Sequence, residues 1–181
     1  NGKGTLNLVG SNNQTVTGTV GTNGNKLAEV NAGVNGSTST FANDVYATNL
    51  DVEGTGTVNL DGNFTGTAIR YNADGTVILA DTKNINSAIT TAVDNTGTLS
   101  LEGSSTVTGQ VGASGASLKE INAGVAGSTS TFNSNVYASN LNMTGTGTVI
   151  LNSDLTGNVV ATGNNQGILT TTGLNKTITG N

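Results

Sequence analysis

The chain contains no cysteine, proline, histidine or tryptophan in 181 residues. Without cysteine there are no disulfides and no thiolate metal sites. Without cysteine and histidine the usual nucleophilic triads and zinc centres are excluded as well. Only three Phe and three Tyr are present, and charged residues make up 9%. Large side chains normally fill a thick globular interior, so this inventory predicts a thin core built from Leu, Val, Ile and Ala. No apolar run reaches bilayer-spanning length and no signal peptide is visible. The net charge of −5 opposes nucleic acid and anionic membrane surfaces as partners.

What is abundant is Asn, Thr and 27 glycines. Such a composition suits disorder, but disordered chains have no cause to alternate, and this one alternates throughout. Leu6 and Leu8, Val16 and Val20, Leu50 and Val52, Val58 and Leu60, and Val77 and Leu79 each alternate with Thr, Asn or Gly. Period two sets one group inward and the other outward. Asn-rich and Gly-rich turns separate them at Gly10–Asn13, Asn72–Gly75 and Thr162–Asn165. Lys26–Val30 and Ser117–Ile121 fit a short helical turn or a strand equally well.

The strongest signal is internal repetition. Gly21–Leu60 returns at Gly112–Leu151, 91 residues on, with 25 of 40 positions identical. Gly4–Leu8 likewise matches Gly97–Leu101, with two residues deleted before Val107. The copies cover approximately 4–93 and 97–181. Apolar character persists where Val30 becomes Ile121, Val52 becomes Met143 and Phe64 becomes Leu155. Charge changes beside them, as in Lys26 to Ser117, Glu53 to Thr144 and Asp44 to Asn135. Glycine-rich punctuation every 18 to 25 residues or so predicts about four coils per unit. The expected fold class is therefore all-β: a parallel β-helix or β-solenoid of short coils, right-handed, forming one fragment (1–181) of a longer array.

Candidate chemistry is sparse. Asp51, Glu53 and Asp61 come nearest to an acidic cluster, and Asp51 and Glu53 share strand parity. Their counterparts Asn142, Thr144 and Asn152 are uncharged, which favours solvated charges over a catalytic pair. Calcium could use turn oxygens near Asp61-Gly62 or Asp74-Gly75, although those dipeptides are turn signals in their own right. The Gly-x-Gly strings Gly54–Gly56 and Gly145–Gly147 precede strands rather than helices, so they are not phosphate loops. Thr17/Thr19, Thr55/Thr57, Thr65/Thr67, Thr96/Thr98 and Thr146/Thr148 have the spacing of ice-binding faces, irregularly arranged. Phe41 with Phe132 and Tyr46 with Tyr137 are the repeated aromatics, expected to cap or fill the same corner of each unit by core or stack packing, with a binding role as the alternative if they are exposed. No catalytic, cofactor or metal residue is assigned.

The opening NGKGTLNLVGSNNQTVTG and its return DNTGTLSLEGSSTVTG (Asp94–Gly109) resemble the autotransporter-associated β-strand repeat. The longer order KLAEVNAG, NDVYATNL, GTGTVNLDGNFTG is similar to the passengers of rickettsial outer membrane proteins A and B. The resemblance implies an exported passenger at the bacterial cell surface or outer membrane, or secreted, attached to the membrane only through a barrel outside this fragment. It implies a structural or adhesive role, with a host-cell receptor or neighbouring copies in a coat as partners, no cofactor and no enzymatic activity. A carbohydrate-active β-helix and an ice-binding solenoid are the alternatives.

Overall fold

Short alternating runs rich in β-branched residues, punctuated by Gly and Asn, favour extended chain. The computed structural model describes residues 2–173 and 175–180, and among them it has eighteen strands and no helix. The first coils hold β1 (Thr5–Asn7), β2 (Gln14–Val16), β3 (Leu27–Ala32) and β4 (Thr38–Phe41). β5 (Val45–Val52), β6 (Thr57–Leu60), β7 (Phe64–Tyr71), β8 (Thr76–Leu79) and β9 (Asn84–Thr91) complete the first copy. The second copy runs through β10 (Thr98–Leu101), β11 (Ser105–Val107), β12 (Leu118–Ala123), β13 (Thr129–Phe132) and β14 (Val136–Met143). It continues through β15 (Thr148–Leu151), β16 (Leu155–Ala161), β17 (Ile168–Thr171) and β18 (Ile178–Thr179). Each strand pairs in parallel with the strand two places on, so the chain is a β-solenoid of nine coils. The ambiguous segments at Lys26 and Ser117 are strand, as β3 and β12.

The registers place inward residues in three columns. The first reads Leu6, Val30, Leu50, Ile69, Ile89, Val111, Val136, Leu155, Ile178. The second carries Val16, Phe41, Leu60, Leu79, and beside them Val58, Val77, Leu99, Ile121, Leu141. The third reads Val20, Val45, Phe64, Ile85, Val107, Phe132, Leu151, Thr171. Apart from Leu6 and Val16, which are partly buried, and Thr171 and Ile178, which are exposed in the last coils, these side chains are buried in one continuous core. Burying each is worth about 1.5–3 kcal/mol. Long strands such as β7 and β14 turn a corner at a register shift, between Thr65 and Ala68 and between Tyr137 and Asn140, and so serve two columns. Val16 and Val20, expected on one strand, belong to adjacent columns, because β2 ends at Val16 and Val20 pairs as an isolated bridge.

This arrangement explains the 91-residue spacing. From Val30, four coils lead through Leu50, Ile69 and Ile89 to Val111, and the next column then brings Ile121. One repeat is therefore four coils plus one column, rather than a whole number of coils. Val30 lies in the first column and its equivalent Ile121 in the second. Phe41 lies in the second and Phe132 in the third. The repeated phenylalanines are core residues as expected, but they do not fill the same corner.

The turns carry local strain at one position. Gly, and Asn at Asn95 and Asn165, supply most of the positive φ values, but Thr82 also sits at φ 64. A β-branched side chain is poorly suited to that region. Its amide donates to the Ser104 carbonyl at 2.9 Å, a bond any residue but proline keeps. Thr82→Asn is expected to stabilise the fold by about 0.5–1 kcal/mol, read as a higher urea midpoint with unchanged slope.

Candidate functional site

Turn amides at the end of one strand need acceptors, and the sequence supplies Asn or Asp one coil earlier. Asp44 Oδ1 accepts from Asn63 N (2.8 Å), Asn63 Oδ1 from Asn84 N (2.9 Å), and Asn84 Oδ1 from Thr106 N (2.9 Å). This gives an unbroken run of side-chain clamps over four coils. In the second copy Asn135 Oδ1 accepts from Asp154 N (3.4 Å) and Asp154 Oδ1 from Thr177 N (2.9 Å). The exchange of Asp44 for Asn135 is thus not a free surface change, because both oxygens do the same job. The signal was present in the sequence: the exchanges swapped Asp and Asn, which share a side-chain oxygen.

Hydrogen bonding from the Asn63 backbone holds the Asp44 carboxyl below the ordinary aspartate value of 3.8, against the opposing effect of partial burial. A depressed folded pKa contributes stability above the unfolded value and loses it as pH falls through the folded one. Asp44→Asn keeps the acceptor and should change stability little at pH 7 while removing this acid sensitivity. Asp44→Ala leaves the Asn63 amide unsatisfied and should cost about 1–2 kcal/mol. Thermal melts of the three proteins at pH 7 and pH 3 check both statements.

The nearest approach to a catalytic pair resolves differently. Outward positions stack as Asn7, Asn31, Asp51 and Arg70, and the Asn31 amide donates to Asn7 Oδ1 at 2.7 Å. Arg70 Nε and a terminal nitrogen hold both Asp51 oxygens, and Arg70 also reaches Glu29 Oε1 at 2.9 Å. Asp51 is 2% exposed whereas Arg70 is 41% and Glu29 36% exposed, so the guanidinium lies over the carboxylate as a lid. Asp51 is therefore not the solvated charge expected of it. Glu53, of equal parity, is exposed, and Asp61 stands exposed in the turn after β6. In the second copy the same stack reads Ser100, Asn122, Asn142 and Val160. There Asn142 donates to Asn122 Oδ1 at 2.9 Å in place of an ion pair.

The remaining candidates fall into place as turn and strand residues. Gly62 packs against the backbone of Asn43, so Asp61-Gly62 is a close-approach turn. Asp74 accepts from Gly97 N at 3.1 Å and pairs with Lys119 Nζ at 2.7 Å, two coils away. That ammonium, before other causes, lowers the Asp74 pKa. Among the described residues no three acids gather to hold a metal ion. Threonines do stack, as Thr38, Thr57, Thr76 and Thr98, but the outward positions beside them hold Thr40, Asn59, Ile78 and Ser100. The stack is one threonine wide, and none of the Thr-x-Thr pairs noted in the sequence builds a regular two-column array.

Tyr46 and Tyr137 are not core residues: they face outward, the condition under which the sequence leaves a binding role open. Each is half-buried and alternates with buried neighbours, Val45 and Ala47 or Val136 and Ala138. Strand parity specifies this, since Val45 and Ala47 or Val136 and Ala138 point inward on either side. The Tyr46 hydroxyl donates to Asp44 Oδ2 at 3.2 Å. No protein family matches the chain, and no curated protein and no solved structure matches it either.

Proposed function

We propose that this chain is a rod segment of a bacterial surface protein: a non-enzymatic passenger of the autotransporter kind, acting as a stiff scaffold or host-cell adhesin. The observation that supports this reading is the unbroken stack of nine coils, joined by backbone ladders and by the Asp and Asn clamps between coils. Such a solenoid holds each coil through its neighbours and offers long outer faces for contact. Asp51, Asp44 and Asp154 are engaged in structural bonds, which speaks for scaffold rather than catalysis. Under this reading the partners are a host-cell receptor or neighbouring copies in a coat, and a net charge of −5 disfavours nucleic acid. The membrane link belongs to a barrel outside the segment.

The test is binding of the labelled, folded chain to host cells. Saturable binding competed by unlabelled chain is the adhesin outcome. Binding by flanking repeats alone makes this segment a spacer. Measurable cleavage of a polysaccharide by the purified chain would overturn the proposal altogether.

A further inference from the structure

Each copy places a tyrosine on the outer face, and each tyrosine stands between the same two neighbours. Val20 pairs with Val45 and Val111 with Val136, so the coil before sets Gly21 beside Tyr46 and Gly112 beside Tyr137. The coil after sets Thr65 beside Tyr46 and Thr156 beside Tyr137. Neither glycine can carry a side chain. Their φ values are +66 and +63, and an added Cβ would fall 2.4 Å from the Tyr46 carbonyl oxygen or 2.3 Å from that of Tyr137. Backbone packing thus denies each ring a side-chain neighbour on one flank, while a hydroxyl stands on the other. Beyond Thr65 lies Asn86, whose amide donates to Thr65 Oγ1 at 3.4 Å, and beyond Thr156 lies Thr179.

The core does not need these rings, because Val45 and Ala47, or Val136 and Ala138, supply the inward contacts. Both copies nevertheless carry the ring, although the charge beside it differs between Asp44 and Asn135. An aromatic ring beside hydroxyl and amide groups, with the Asp44 carboxylate accepting from the Tyr46 hydroxyl in the first copy, suits a ligand that combines apolar C–H faces with hydroxyls. The negative net charge disfavours an anionic one.

We propose that Gly21–Tyr46–Thr65 and Gly112–Tyr137–Thr156 are two related platforms for a neutral glycan, a pyranose ring stacking on the tyrosine and its hydroxyls bonding the threonine. The proposal rests on the adhesive reading and names its ligand class. Because one repeat advances by one column, the platforms lie on different sides of the rod, about 21 Å apart along its axis. They fill independently.

The test titrates the full chain with cellohexaose and with chitohexaose by calorimetry. Tyrosine emission is a second readout, since the chain has three tyrosines and no tryptophan. At least one hexasaccharide should bind with a stoichiometry of two. Tyr46→Ala or Tyr137→Ala should reduce this to one and the double variant to none, with each variant still folded by circular dichroism, because Val45 and Ala47 or Val136 and Ala138 supply the inward contacts. Failure of both sugars to bind the folded chain, or undiminished binding by the double variant, overturns the proposal. Equal attachment of wild type and double variant to host cells would sink the glycan platform and leave adhesion standing. Sugar binding without any cell binding would sink adhesion and leave the platform.

Discussion

Gly97→Ala is expected to lower the unfolding free energy by about 3 kcal/mol, from overpacking and a positive φ acting together. Gly97 has φ +88, and an added Cβ would lie 2.6 Å from the Tyr71 ring. The ring cannot retreat easily. Tyr71 is fully buried, its hydroxyl donates to the Thr98 carbonyl at 2.6 Å, and burial pushes the hydroxyl pKa up. The backbone cannot retreat either, because Gly97 N is clamped by Asp74 Oδ1. Gly36→Ala is the control, with φ +73 and nothing within 4 Å of the added carbon. It should cost about 1 kcal/mol, the conformational term alone. Urea denaturation of both variants separates the two contributions, and equal losses would show that the tyrosine contact is immaterial.

Arg70→Met should cost about 3 kcal/mol, more than Arg70→Ala at about 1 kcal/mol, although methionine is the closer match in shape. The inversion follows from the lid geometry. Asp51 is an outward residue that is buried between the coil of Asn31 and that of Arg70, whose guanidinium holds both its oxygens. Methionine keeps the cover and removes the charge, leaving a carboxylate out of contact with water and unpaired. Alanine removes both, and water replaces the guanidinium.

The deficit of the methionine variant should also shrink in acid. Hydrogen bonding to Asp51, then burial and the Asp51 charge, raise the Glu29 pKa above 4.5, with Arg70 opposing. A raised folded pKa gives stability that is present below the unfolded value and lost as pH rises through the folded one. Glu29 beside Asp51 is therefore most tolerable when Glu29 is protonated, and removing Arg70 hurts least there. Denaturation at pH 7 and pH 4.5 measures the difference. A methionine variant no weaker than the alanine variant would rule out the lid.

The inward set was legible because period-two alternation needs only neighbouring residues. Val30, Leu50, Val52, Val58, Leu60, Val77 and Leu79 are all buried as the pattern required. The coil count was legible less sharply, since turn spacing counts coils but does not say how many columns each coil has. That number emerges only from the pairings between coils, such as the bridge of Val20 with Val45 that opens the third column. Asp51 was illegible for a related reason. Its cover comes from Arg70, 19 residues away, and no local pattern indicates that these two will stack. The 91-residue offset sets Ala161 against Arg70, and only the strand registers show that Val160 holds its place in the second copy. The clamps were partly legible as Asn-rich turns, although the bonds they make cross from coil to coil and depend on register.

The odd column in each repeat gives copy number an angular meaning. Lengthening such a rod by one repeat unit would move its tip outward and also turn everything beyond the insertion by one column. Adding three would restore the original heading. Gain or loss of units by recombination between similar copies would therefore re-aim distal surfaces in steps of a three-position dial, with no substitution in any binding residue.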